Sequence, residues 1–277
     1  MTGASPPGTT QGMRIGIITG SGTYALPGFA ADAAQEVDTE FGSVTLTRGE
    51  LGGAEVVHVS RHLPGHARLS NHVTHQANIS ALRDAQVDAI LAVTVCGAVD
   101  TSVPLGTLVA FDDLHFLSNR LPDGSLCTLH THPGRPGRAH WVYGGPFSPA
   151  LRAVLLGGAA DGGYEIRDGG VYGHVDGPRF NTAAEIRSLS AVGVTAVSQT
   201  GGPETVLAGE AGIPYALLGY ATDYANGVHD EATPVAELIR LIEASKSVLA
   251  DTITAAVARL AAAGSPIASV GSQIVMG

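Results

Sequence analysis

The sequence predicts a single α/β domain with a mixed or mostly parallel sheet and helices on its faces, and three observations carry that prediction. Short apolar runs of β type alternate with helical stretches of about ten residues, the order that winds helices over a sheet. Several runs break into Gly- or Thr-rich turns, where open α/β sheets place their ligands. A long amphipathic stretch lies towards the C-terminus, where Leu238, Leu241, Ile242, Val248, Leu249, Ile253, Val257 and Leu260 recur at three- to four-residue spacing.

Residues 1–12 are rich in Gly, Pro, Ser and Thr without periodicity, the composition of a disordered tail, so the folded domain is expected over 13–277. From Arg14 the run RIGIIT reads as a buried strand released into Thr19-Gly20-Ser21-Gly22. Strands are expected at 43–47 and 55–60, then a helix over about 74–85 and an apolar strand over 89–95. Another strand at 107–111 precedes roughly 35 irregular residues, with a short helix at 149–156. So long an irregular stretch in a compact domain marks a functional loop or a subunit contact. Beyond it the pattern gives strand 170–174, helix 182–191, strand 194–197, helix 203–211 and strand 215–222. Thr233 and Pro234 read as N-cap and first-turn proline of the last helix, which runs to about Ala262.

With 277 residues, 44% of them hydrophobic and 14% charged, the chain has ample apolar material for a core. A formal net charge of -10 opposes generic binding to phosphate backbones or anionic lipid. No apolar stretch approaches the roughly 20 residues of a membrane span, and the start lacks the features of a secretion signal, so a cytoplasmic location is expected. Cys96 and Cys127 are too few for a disulfide framework and are expected to be reduced.

Candidate chemistry sits at the strand ends. Thr19-Gly20-Ser21-Gly22 is either a tight turn or an anion cradle, and it is neither a P-loop nor a complete dinucleotide fingerprint. Arg61-His62, with His66 close behind, is either a solvated strand end or a fork of donors for phosphate oxygens. Thr94 and Thr200 open strand-to-helix turns of a kind that supplies hydroxyl and N–H donors, where a helix N-terminus favours negative charge. Asp223 ends an apolar run, so partial burial would raise its pKa and suit it to proton donation; a cap or turn role is equally open. The pairs His72/His75 and His130/His132 lack the companions of a zinc site and read as surface histidines, so no metal is expected. No nucleophile elbow or Cys/His nucleophile context is present.

Taken together, IGIITGSGTY at 15–24, RHLPGH at 61–66, HQANISAL at 75–82, TVCGAV at 94–99, GPRFNTAAEI at 177–186, GPETVLAGEAGIPYA at 202–216 and ATDY at 221–224 resemble the trimeric purine nucleoside and methylthioadenosine phosphorylase family. The resemblance implies a single-domain nucleoside phosphorylase fold, with a central mixed, partly barrel-like sheet flanked by helices, assembled as a homotrimer. It implies phosphorolysis of a nucleoside to free base and ribose 1-phosphate, with inorganic phosphate as co-substrate and no cofactor. By the same resemblance Ser21, Arg61, His62, Thr94 and Thr200 hold phosphate, and Asp223 is the general acid beside the purine. Cys96, Gly97, Phe180, Asn181, Gln199 and Ala225 fall at nucleoside-binding positions, and His140 matches a His lent to the sugar 5′ pocket of a neighbouring subunit.

Three residues depart from the family pattern: Gln199 replaces a Met that packs on ribose, Ala225 a second Asp, and Asn181 a Ser or Glu. The main expectation is methylthioadenosine or another adenosine-type nucleoside. Alternatives are a 6-oxopurine, pyrimidine or other 5′-modified nucleoside in a specialised pathway, or a catalytically silent nucleoside binder. Gln199 is expected to offer its amide to sugar hydroxyls or a 5′ group.

Overall fold

The computed structural model describes residues 12–21 and 26–276. Residues 1–11 of the expected tail at 1–12, and Gly22 with Thr23 and Tyr24 of the first motif, lie outside them. In chain order the elements are β1 (Arg14–Thr19), β2 (Ala30–Ala31), β3 (Gln35–Thr39), β4 (Gly42–Leu51), β5 (Ala54–Ser60), α1 (His75–Asp84), β6 (Ala89–Ala98), β7 (Leu108–Ala110) and β8 (Asp113–His115). There follow β9 (Ala139–Val142), α2 (Pro149–Asp161), β10 (Ile166–Asp168), β11 (Val171–His174), α3 (Ala183–Ala191) and β12 (Val194–Ser198). The chain ends with α4 (Gly201–Glu210), β13 (Tyr215–Tyr224), α5 (Val235–Ala263) and β14 (Ser272–Val275).

The sheet is mixed, as expected. Its main path runs β10-β7-β13-β6-β1-β5-β4-β2, with β12 joined to β6 and β11 lying between β12 and β8. β6 is parallel to β1 and β13 but antiparallel to β12. This central strand is fully buried over residues 89–94, consistent with its continuous apolar run. The helices cover both faces: α2 and α5 pack together over one, where Leu151, Leu155, Leu249, Ile253 and Val257 are wholly buried. On the other, Ile79 and Leu82 of α1 and Leu207 of α4 share a core with Phe111, Tyr172 and Leu217.

Three local expectations are corrected, and a segment with no expected element is found in use. β6 continues to Ala98 and β13 to Tyr224, so Thr94 lies well inside its strand rather than near its end, and Asp223 lies within its strand rather than after it. Thr233 does not cap α5; its hydroxyl accepts from the Tyr224 N–H at 3.0 Å, tying the end of β13, and Pro234 occupies the cap position. The segment beyond residue 262 is used: β14 pairs with β9, and Gln273 Nε2 donates to the Gly209 and Glu210 carbonyls at the end of α4. His75, expected at the surface, is 1% exposed.

His75 is one of a set of buried imidazoles. Burial, with the charge of Arg61 added, lowers His58 to about 4 and His75 to about 3; burial and the neighbouring His75 lower His174 to about 3. In the unfolded chain each titrates near 6.5. Their neutral forms therefore favour the native state above pH 6.5, and that contribution disappears as pH falls towards 4 and then 3. The expected result is a Tm at pH 5 lower than at pH 7 by on the order of 10 °C, read by calorimetry. A Tm unchanged over this interval would contradict the neutral, buried state of these rings.

Candidate active site

β6 has a gap along one edge, and the site opens there. Ala92 pairs with Ile18 of β1, and pairing resumes on that side only at Gly97, against Val197 of β12. Among the described residues, 93–96 between these points have no strand partner on that edge, the type of fork where α/β sheets bind ligands. A cavity of about 280 Å³ occupies it. Its lining brings together Ser21, Arg61, His62, Thr94 and Thr200 with Cys96, Gly97, Phe180, Asn181, Gln199, Asp223 and Ala225.

At the polar end Arg61 is 1% exposed, far from a solvated strand end. Its Nε and Nη2 donate to the two carboxylate oxygens of Glu204 at 2.6 and 2.8 Å, and Nη1 donates to the Val93 carbonyl at 2.6 Å. Gly20 makes room for it, since a side chain there would collide with Nη1. His62 Nδ1 lies 2.8 Å from the Arg68 carbonyl. A carbonyl only accepts, so Nδ1 carries the proton and Nε2 keeps its lone pair. Burial, reinforced by Arg61, lowers His62 to about 4, and the ring stacks on His66 at 4.3 Å. Thr94 Oγ1 donates to the Val95 carbonyl at 3.0 Å and shares a 2.9 Å hydrogen bond with Ser198 Oγ. Thr200 lines the cavity at the start of α4, but the N–H groups of Thr200 and Gly201 donate to the buried Tyr172 hydroxyl at 3.4 and 2.9 Å. Those two amides are thus not aimed at an anion, which corrects the expectation of a bare helix N-terminus.

At the other end a bulge between Ala221 and Asp223 shifts the register of β13 and sets Asp223 opposite Gly97. A Cβ on Gly97 would stand 3.2 Å from Asp223 Oδ2, so only glycine leaves the carboxyl its place without a shift. Burial raises the Asp223 pKa, against a 2.8 Å hydrogen bond from Thr222 Oγ1 that lowers it. Asn226 also lines this end and donates to the Asn181 carbonyl at 2.7 Å, while Asn181 Nδ2 donates to Glu185 at 3.2 Å. Phe180 is 61% exposed at the rim. Leu69, Leu238 and Ile242 add an apolar stretch of wall.

Gln199 does not hold a free amide out to the cavity. Its Oε1 accepts from Ser70 Oγ at 2.8 Å and its Nε2 donates to the Arg179 carbonyl at 3.1 Å, so it ties residue 70 to the segment that carries Phe180. His140 lies elsewhere, on β9 opposite Ile274, and does not line this cavity. Glu204, Ser198, Asn226 and Ser70 were not singled out by sequence reasoning. Only Glu204 had a signal, as the acidic residue in GPETVLAG on a helix whose neighbouring positions are apolar or small. Among the described residues no group of three or more His, Cys, Asp or Glu is placed to hold a metal ion, and no helix is long and apolar enough to cross a membrane.

A family model described as the phosphorylase superfamily matches residues 14–258. The chain is 34% identical over 234 residues to a probable 6-oxopurine nucleoside phosphorylase of Thermococcus kodakarensis, covering 83% of this chain and 86% of the relative. It is 33% identical over 251 residues to an S-methyl-5′-thioadenosine phosphorylase of Bradyrhizobium diazoefficiens, covering 89% and 82%. The structure is similar to methylthioadenosine phosphorylase from Schistosoma mansoni in complex with adenine, with a TM-score of 0.81 and 26% identity over 90% of this chain and 92% of that one.

Proposed function

The chain belongs to the phosphorylase superfamily, and from that premise we propose that it cleaves an adenosine-type nucleoside, methylthioadenosine in the first place, by attack of inorganic phosphate at C1′. The observation that carries this reading is a single cavity that holds an oxyanion-type donor set at one end and, at the other, the carboxyl of Asp223, whose pKa burial raises. Ser21, Arg61, His62, Thr94 and Thr200 hold the phosphate, and His62 Nε2 accepts a hydrogen bond from the hydroxyl of hydrogenphosphate. Placing this dianion beneath the sugar stabilises the positive charge that develops as the glycosidic bond breaks, so no protein nucleophile is required. Asp223 donates a proton to N7 as the base departs and accepts from the 6-amino group. Phe180 covers the base, with Cys96, Gly97, Asn181 and Ala225 around it. Leu69, Leu238 and Ile242 give an apolar wall suited to a 5′-alkylthio group rather than a 5′-hydroxyl.

Inorganic phosphate is the co-substrate, and the chemistry calls for neither a metal nor an organic cofactor. We place the enzyme in the cytoplasm, in purine salvage, as a homotrimer in which His140 reaches a neighbour's sugar pocket. The location of His140 outside its own cavity, on a ribbon where Val142, Ile274, Val275 and Met276 are exposed, supports the trimer. A second reading, a 6-oxopurine substrate, is favoured by the amides of Asn181 and Asn226 at the base end and by the Thermococcus relative.

Initial rates for methylthioadenosine, adenosine, inosine and methylthioinosine at saturating phosphate separate the two: a preference for the 6-amino pair supports the first reading, and a preference for the 6-oxo pair replaces it with the second. Gln199→Met addresses the sugar side. It removes both bonds to Ser70 and Arg179, so the segment bearing Phe180 should loosen. KM for nucleoside is expected to rise about tenfold, corresponding to about 1.4 kcal/mol, with kcat within a factor of three. An unchanged KM would remove Gln199 from substrate binding.

A further inference from the structure

The proposed chemistry asks Arg61 to face an anion, yet its side chain is enclosed in the protein and most of its hydrogen-bonding capacity is directed inwards. A guanidinium has five N–H donors. Two go to Glu204 and one to the Val93 carbonyl. These three bonds leave one N–H on each of Nη1 and Nη2, and Arg61 is among the residues that line the cavity.

Glu204 is itself held from behind. It lies in the first turns of α4 and is 0% exposed. The Tyr215 hydroxyl donates to its Oε2 at 3.0 Å, and His75 Nδ1 stands 3.9 Å from its Oε1. Arg61 and Glu204 are 143 positions apart in sequence, so the pair also fastens the turn after β5 to α4, which begins at the cavity. A single lysine or a loosely held arginine would satisfy charge balance. The bidentate geometry, shared with a carbonyl of the central strand and opposed by a glycine, does more: it fixes the plane of the guanidinium.

We propose that Glu204 is a positioning residue for the oxyanion subsite, gripping the Arg61 guanidinium by its Nε–Nη2 edge so that the remaining N–H groups meet phosphate in one fixed orientation. The Val93 carbonyl and Tyr215 complete the grip. The orientation is set before phosphate arrives, so binding need not order a long flexible side chain. The proposal rests on the phosphorolysis reading, through the assignment of Arg61 to phosphate.

The test compares Glu204→Gln and Tyr215→Phe with the unaltered enzyme, varying phosphate at saturating methylthioadenosine and then the nucleoside at saturating phosphate. Glu204→Gln keeps the shape but removes the charge and one of the two acceptors; KM for phosphate should rise about thirtyfold or more, while KM for nucleoside stays within threefold. Tyr215→Phe leaves the ion pair intact, and a smaller rise confined to phosphate, about threefold, is expected; it keeps the question answerable if the Gln variant does not fold. Ile253→Val on α5, in the core away from the cavity, serves as a destabilised control whose phosphate KM should not move. Restoring the carboxylate one methylene shorter, in Glu204→Asp, should recover part of the phosphate affinity. An equal rise in both KM values, or no rise for phosphate, overturns the positioning role. If instead the unaltered enzyme releases base at a rate independent of phosphate, the phosphorolysis reading fails, and the positioning role fails with it.

Discussion

Arg61→Lys is expected to lower kcat/KM for phosphate by about a hundredfold or more, with nucleoside binding in the absence of phosphate altered by no more than a few-fold. Lysine keeps the charge but replaces a planar fork by a point donor. It cannot serve both oxygens of Glu204 and the Val93 carbonyl while also turning an N–H to the cavity. Each charge-assisted hydrogen bond lost is worth about 1.5–3 kcal/mol, so loss of a single bond to the anion already corresponds to tenfold or more. The retained charge keeps Glu204 from standing alone in the interior, where an unpaired partner would cost about 3–5 kcal/mol. Rate against phosphate concentration, paired with calorimetric binding of nucleoside alone, checks the expectation. Equal losses in both would mean that Arg61 holds the fold together without facing the anion.

Asp223→Asn should exchange one base preference for another. A protonated carboxyl donates to N7 and accepts from a 6-amino group through its other oxygen; an amide in the same place presents NH₂ to N7 and to a 6-oxo group but cannot transfer a proton. Turnover of 6-aminopurine nucleosides is expected to fall by about a hundredfold, and the ratio of 6-oxo to 6-amino turnover to rise by more than tenfold, because a buried mismatch leaves polar groups unpaired. The pH profile gives a second readout. Burial raises the Asp223 pKa; with Asp223 as the proposed general acid the protonated form is the one that turns over, so kcat should fall as pH rises through that pKa and the limb should vanish in the Asn variant. Identical losses on both classes of purine, with the limb retained, would remove Asp223 as the group that reads and protonates the base.

Much of this site could be read in the sequence because its residues fall late in, or just after, apolar runs that break into turn-forming residues. Arg61, Thr94, Thr200 and Asp223 each follow or end an apolar run, and the sheet carries them to one side of the fold. The positions of the strand ends were less legible. β6 and β13 run on past Val95 and Thr222 because each finds a partner in the other, through a bulge that no local pattern announces. The long irregular stretch hid β8 and β9, whose partners β11 and β14 are far away in sequence.

What escaped altogether depends on contacts between distant segments. Glu204 reads as an ordinary acidic residue in the first turn of a helix, and only its burial against Arg61 gives it meaning. Gln199 was legible as unusual but not as engaged, since its partners Ser70 and Arg179 come from two other segments. His75 looked like one of a surface pair because helical periodicity does not report that α4 packs over α1. Thr233 carried a valid capping signal that the tertiary structure spent on Tyr224 instead.

The most direct test of phosphorolysis is to incubate the purified protein with methylthioadenosine, with and without inorganic phosphate, and follow free base by absorbance and sugar phosphate by phosphorus NMR. The expected result is free adenine and a pentose 1-phosphate in equal amounts, and neither without phosphate. Base released at the same rate without phosphate, accompanied by free sugar, would make the protein a hydrolase and contradict the assignment of Arg61, His62, Thr94 and Thr200 to a phosphate nucleophile.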